Sequence, residues 1–157
     1  MKKSLPFITS LFVFLGMISV QSAQDLVKGE IRIQDSLELD RMKYVNLIRE
    51  QIKGKENLPA DSVYKNLKIF NRMPAGRLLA VMNIGYSKSL GVSCGHCHNT
   101  SQWDSDEKKT KLIAREMAKM TQRINNELLK EITALKDPIV NCTTCHRGKT
   151  KPALNLE

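Results

Sequence analysis

The sequence predicts a mostly helical domain, on three observations: amphipathic segments at helical spacing, Gly or Pro steps that close those segments, and no alternating apolar run long enough for a sheet. From Ser36 to Ile52, Tyr44, Val45, Ile48 and Ile52 share one helical face, with acids early and a Lys-Gly step just after. Residues 53 to 75 hold Gly54, Pro59 and Pro74 without a sustained period, so they read as a connector with one short piece at Val63 to Phe70. A second helix is expected from about Ala75 to Leu90, with Leu78 and Met82 on one face, Gly85 one turn on and Gly91 as its stop. The third is the clearest. Asp104 and Glu107 resemble a capping-box start, Ile113, Met117, Met120, Ile124 and Leu128 recur at helical steps, and Pro138 requires an end by Asp137.

At 157 residues the chain suits one domain. Its start, Met1-Lys2-Lys3 followed by an apolar run from Leu5 to Val20 and then Gln21-Ser22-Ala23, has the form of a secretory signal peptide. The run falls short of the roughly 20 residues that a spanning helix needs. The expected organisation is therefore a signal peptide over 1–23, cleaved near residue 22–23, and one domain over 24–157 in an exported, periplasmic compartment, with no stable membrane span in the mature chain. Formal charge is +9, or +7 once Lys2 and Lys3 leave with the leader, which fits an acidic protein partner or an anionic membrane face; export argues against nucleic acid.

Aromatic residues make up only 5% of the chain and Trp103 is its single Trp, so few large side chains are available to build a core. Something large, flat and apolar would supply the missing burial.

Cys94-Gly95-His96-Cys97-His98 and Cys142-Thr143-Thr144-Cys145-His146 are two Cys-x-x-Cys-His sequences, the pattern of c-type haem attachment. Two thiols at that spacing can add to the two vinyl groups along one haem edge, and the next His then faces the iron. The motifs consume all four cysteines and two of the three histidines. A four-cysteine zinc site is the competing structure, but 44 residues separate Cys97 from Cys142, against the roughly 15 to 20 usual in such ribbons. A thioredoxin-like pair would need a βαβ context, which is absent, and neither competitor explains a His after each pair. The expected fold is thus a small multihaem cytochrome c domain with helices packed on two covalently bound haem c groups. His98 and His146 are the proximal ligands.

His96 lies inside an attachment loop and is expected at an exposed edge, which leaves Met as the sixth ligand. Met82 precedes Cys94 by twelve residues, enough chain for a distal helix to turn to the proximal face, and Gly85 would let that helix approach the ring closely. For the second haem, Met117 and Met120 are both feasible. A helix from Met117 to about Leu135 climbs about 27 Å, which the residues back to Cys142 barely recover, so chain geometry leans to Met120.

The stretches MPAGRLLAVMNIGYSKSLGVSCGHCH (73 to 98), AREMAKMTQRIN (114 to 125) and VNCTTCHRGKTKP (140 to 152) resemble the cytochrome c subunit of photosynthetic reaction centres and its smaller relatives in non-photosynthetic bacteria. In that family a Met on the helix before the first attachment site, and the first Met of the Ala-Arg-x-Met helix, ligate the irons. The resemblance therefore implies Met82 for haem 1 and Met117 for haem 2, with Met120 as the alternative. The photosynthetic subunit carries four haems in a duplicated unit, whereas this chain has two motifs.

The expected function is an electron carrier, not an enzyme: both irons six-coordinate, cycling between Fe(II) and Fe(III), with a redox protein donor and acceptor and a membrane-bound respiratory complex as the expected partner. Arg147, Lys149 and Lys151 are candidates for pairing with propionates. The rival is a haem enzyme of peroxidase or reductase type with one open iron, for which the chain offers little room.

Overall fold

The computed structural model describes residues 8–134, 136–152, 154 and 155, with side chains from residue 23 onward. The start of the expected signal peptide, Met1-Lys2-Lys3, lies outside the described residues, and no described helix is long and apolar enough to cross a membrane. Two compact units emerge, residues 1–36 and 37–157, and the attachment motifs both belong to the second. The fold is mostly helical, and among the described residues the only β pairings are single bridges, Pro59 with Pro74 and Asn99 with Gln102.

The first helix, α1 (Ile8–Gln51), starts far upstream of the expected Ser36, because the stretch from Gln24 to Asp35 holds no Pro and continues the helix. Within the second unit its expected apolar face is the one used. Val45 and Ile52 are buried, and Tyr44 and Ile48 face a cavity. Gly54, at φ 77°, closes the turn after the helix.

The connector is more ordered than its sequence implies. The expected piece at Val63 to Phe70 is not an element, since Asn66 and Phe70 both take positive φ and interrupt any regular run. The helix here is instead the short α2 (Ala60–Val63). Hydrogen bonds from Ala60 N–H to the Met73 carbonyl (2.8 Å), from Ala75 N–H to Leu58 (2.9 Å) and from Gly76 N–H to Glu56 (2.9 Å) close the loop on itself. Pro59 and Pro74, each at φ −55°, stand at the caps of α2 and α3 (Ala75–Ala80), where a missing N–H does no harm.

α3 passes directly into a π-helical stretch, Val81–Lys88, which ends through Ser89 at Gly91, φ 64°. Bonding to the fifth residue widens each turn, so positions three apart, which are neighbours on an α-helix, diverge, while positions four apart still share a face. Met82 and Tyr86 accordingly line the cavity together, while Gly85 is turned off it and faces Val81. That corrects the expected role of Gly85 as the close-approach residue.

The third expected helix, α4 (Lys109–Asn126), starts after the acidic segment and not within it. Asp106 is drawn back by ion pairs to Lys111 (3.2 Å) and Arg115 (2.9 Å), and Lys108 stands at the cap position without a side-chain cap. The helix also ends early, so Leu128 falls in a following 3₁₀ turn, Leu128–Glu131. A last short helix, α5 (Cys142–His146), is capped by Asn141, which accepts from the Thr144 N–H at 3.1 Å while the Thr144 hydroxyl accepts from the Asn141 N–H at 3.0 Å.

Little protein is packed inside. The buried apolar residues among those described are Val45, Ile52, Ala60, Ala75, Leu78 and Ala118, half of them alanine, and no large side chain is fully buried. Conversely Ile113, Met117 and Met120, the predicted apolar face of α4, are 51%, 44% and 49% exposed.

One backbone approach leaves no latitude. A Cβ at Gly91 would meet the carbonyl oxygen of Gly148 at 2.0 Å, whereas one at Gly85 would meet only Val81 Cγ1 at 3.5 Å, an ordinary contact. Gly91→Ala should therefore lose about 2 kcal/mol or more, through a left-handed alanine and a backbone clash together. Gly85→Ala should be neutral or slightly stabilising. Thermal denaturation of the two variants checks the contrast, and equal melting temperatures would refute it.

Candidate haem-binding site

A cavity of about 590 Å³ lies in the second unit, within the range of ~300–1,000 Å³ typical of cofactor sites. Met82, Cys94, Cys97 and His98 all line it, so the structure brings together the four residues that the sequence singles out for the first haem. α1 supplies Tyr44, Val45 and Ile48 to the wall, and Trp103 stands beside the histidine.

The attachment segment is a tight turn. The carbonyl of Cys94 accepts from the N–H groups of both Cys97 (3.3 Å) and His98 (3.0 Å), folding Cys94–His96 into a 3₁₀ turn that puts both thiols and the imidazole on the cavity. His96, the residue between them, is exposed as expected. Burial pushes the Cys94 and Cys97 thiols up, keeping them protonated.

His98 is positioned by a group outside the motif. Its Nδ1 lies 3.4 Å from the Trp103 carbonyl oxygen, which can only accept, so Nδ1 carries the proton and Nε2 is left with its lone pair. The Trp103 ring packs against the imidazole, centroids 5.4 Å apart, and is itself met edge-on by Tyr44 at 5.5 Å. Burial lowers the His98 pKa and favours neutral imidazole, the form that binds a metal. His146 repeats the device: its Nδ1 is 3.0 Å from the Lys149 carbonyl. A carbonyl on the far nitrogen is the usual arrangement behind a metal-bound histidine, and it occurs at both motifs.

The cavity also has a cationic wall, which periodicity had not marked. Lys111, 8% exposed, gives its three N–H groups to the carbonyls of Trp103 (2.9 Å) and Ser105 (2.6 Å) and to Asp106 (3.2 Å). Arg115 holds Asp106 and the carbonyl of Asn66 (3.0 Å). Two cations against one carboxylate leave this wall positive. Such residues look in sequence like the solvated face of α4, and only the position of Asp106 before the helix separates them from it.

The second motif is built differently. α5 lies outside the cavity, and Asn125 near the end of α4 clasps the segment before it, donating to the Val140 carbonyl and accepting from the Val140 N–H, both at 2.8 Å. Because α4 stops at Asn126, the climb from Met117 to the helix end is about 14 Å and not the ~27 Å expected, which removes the geometric preference for Met120. Met117 and Met120 both lie on the exposed face of α4. Arg147 and Lys151 are exposed, with Arg147 taking the left-handed conformation that ends α5.

A comparison with known families bears on all of this. The family described as the photosynthetic reaction centre cytochrome C subunit matches residues 19–155. The chain belongs to that family. Membership in this cytochrome family implies covalently bound haem c, and the cavity with its paired thiols and oriented histidine fits that group.

Individual relatives agree. Cytochrome c-554 of Chloroflexus aurantiacus is 31% identical over 83 residues, 53% of this chain and 20% of the relative. The photosynthetic reaction center cytochrome c subunits of Rubrivivax gelatinosus and Roseobacter denitrificans are 30% and 31% identical, over 59% and 64% of this chain and 25% and 28% of theirs. The chain thus spans about a fifth to just over a quarter of the length of these cytochromes.

The ion-pair cluster on the cavity wall makes a pH prediction. Hydrogen bonds from Arg115, then from Asn66 and Lys111, hold the Asp106 carboxyl well below the usual carboxylate range. A carboxyl depressed in the folded state stabilises the protein above its unfolded pKa of about 3.9, and that stabilisation fades as pH falls below it. Asp106→Asn should lower the melting temperature at pH 7, and the gap to the parent should shrink below about pH 4. A gap that is constant across this range would refute the assignment.

Proposed function

We propose that the chain is an exported dihaem c-type cytochrome that transfers single electrons between protein partners. The observation that carries the reading is the convergence of Met82, Cys94, Cys97 and His98 on one cavity. Cys94 and Cys97 would hold the first haem covalently, with His98 and Met82 as the ligands of its iron. Cys142 and Cys145 would hold the second, with His146 and Met117 as its iron ligands.

When bound, haem c supplies a one-electron Fe(III)/Fe(II) couple, raised in potential by Met opposite His. The protein's own part is to orient and to exclude water. Trp103 and Lys149 fix the histidine tautomers, and α1 closes the apolar side of the cavity. The positive wall of Lys111 and Arg115 disfavours added positive charge, and so opposes the ferric state. At the second motif, Ile113, Met117 and Met120 present an apolar bed on α4 that a porphyrin would cover, as exposed side chains of that size on one face are otherwise left in water.

Two of the relatives carry the photosynthetic reaction center in their names. For this chain, with two attachment motifs, we assign a redox donor and an acidic acceptor surface on a membrane-bound respiratory complex, reached in the periplasm after cleavage near residue 22–23.

Denatured intact mass is the first test. Expressed with its own leader in a bacterium that matures cytochromes c, the protein should gain two haems that survive unfolding; no gain, beside a control that matures, would overturn the reading. Met82→Ala and Met117→Ala should each turn one haem high-spin, lower its midpoint potential and open it to cyanide, while Met120→Ala leaves both low-spin. A haem opened by Met120→Ala and unaffected by Met117→Ala would reverse the second ligand assignment. Rapid cyanide uptake by the unmodified protein would instead favour a haem enzyme.

A further inference from the structure

The attachment chemistry needs only the cysteines and the histidine of each motif, yet one of the two intervening residues of the second motif is bonded into the fold. The hydroxyl of Thr143 lies 2.6 Å from that of Ser89, which is 5% exposed at the end of the π-helical stretch. Ser89 Oγ donates its single proton to the Ile84 carbonyl at 3.0 Å, so Thr143 must be the donor between the two hydroxyls. The backbone of Ser89 grips the other end of α5, its carbonyl accepting from the Gly148 N–H at 2.8 Å.

Gly91 then lies so close to Gly148 that no side chain fits between them. This is the segment that carries the chain from Met82 to Cys94, so both attachment motifs are anchored to the same few residues. Tyr86 lies nearby: it lines the first cavity, and its hydroxyl is 3.5 Å from the Ala114 carbonyl on α4.

We propose that the seam between Ser89 and Gly91 on one side and Thr143 and Gly148 on the other fixes the distance between the two haems, with Ser89 and Thr143 as its positioning residues. The inference rests on the two-haem reading given above. Electron exchange between centres falls steeply with separation, and magnetic dipolar coupling falls with its cube. A single ledge built on the buried Ser89 and shared by both motifs therefore makes one defined coupling, where independent loops would give a spread of values.

The test uses the full chain matured with its haems, comparing the parent with Thr143→Val, which keeps the branched shape and loses the hydroxyl, with Ser89→Ala, and with the double variant. Denatured mass gives the haem count, and pulsed EPR of the fully ferric protein gives the distribution of inter-haem distances. The expected result is two haems and unchanged low-spin signals throughout, with the distance distribution roughly doubled in width in each single variant and no broader in the double variant. Ser89→Ala lies outside the attachment motif and keeps the test decisive if Thr143→Val impairs haem attachment. Two haems with an unchanged distribution in Ser89→Ala would overturn the seam and leave the dihaem reading standing. A parent carrying fewer than two haems would overturn both.

Discussion

Contact across the cavity between α1 and the Cys94–His98 turn is the constraint on which the rest of the second unit depends. α1 brings Tyr44, Val45 and Ile48 to one side; the turn brings two thiols and an imidazole to the other, with Trp103 bridging them by touching both Tyr44 and His98. Between these walls lies space, and among the described residues the buried apolar side chains are few and small, with Val45, Ile52 and Leu78 lining the cavity itself. A large apolar group in the cavity would add burial that these side chains do not supply, and covalent bonds to Cys94 and Cys97 would keep that group where the packing needs it.

Polar chemistry around the cavity follows from the same constraint. A wall of backbone turns exposes carbonyls that cannot be left without donors when buried, and Lys111 satisfies two of them at once while pairing with Asp106. The Trp103 carbonyl serves twice, accepting from Lys111 and from His98. A buried lysine thus shares an acceptor with the histidine, and its charge adds to the forces that keep that histidine neutral. Structural satisfaction and ligand preparation are the same set of contacts.

The residues that meet at the first cavity are legible in the sequence because their signals are local. Cys-x-x-Cys-His is five consecutive residues, and the cavity-facing side of α1 follows from a simple helical period at Tyr44, Val45, Ile48 and Ile52. Gly91 as the stop of the second helix is also local, and its positive φ agrees. What escaped was set by partners distant in sequence. A π-helical turn has no residue signature, so Gly85 was assigned the face that Tyr86 takes. The start of α4 differs from the expected one because Asp104 and Glu107 resemble a capping box, whereas the acid between them, Asp106, pairs with Lys111 and Arg115 ahead of a helix that begins only at Lys109. Likewise Asn125 reads as a polar residue on a helix, whereas its amide completes the backbone of Val140.

Asymmetry between the two motifs has a physical origin in where each lies along the chain. The first is followed by a helix that packs back on it through Lys111 and Arg115, so its cofactor space is enclosed from several directions. The second lies outside that cavity, and its described bonds run to Ser89 and, through Val140 just before it, to Asn125 near the end of α4. On the two-haem reading proposed above, a haem held there would be bounded by fewer protein atoms and lie nearer to solvent, which would favour the charged ferric form and lower its potential relative to an enclosed site with the same ligands. A difference in enclosure alone would then order the two centres, the exposed one better placed to meet a partner and the enclosed one better placed to hold the electron.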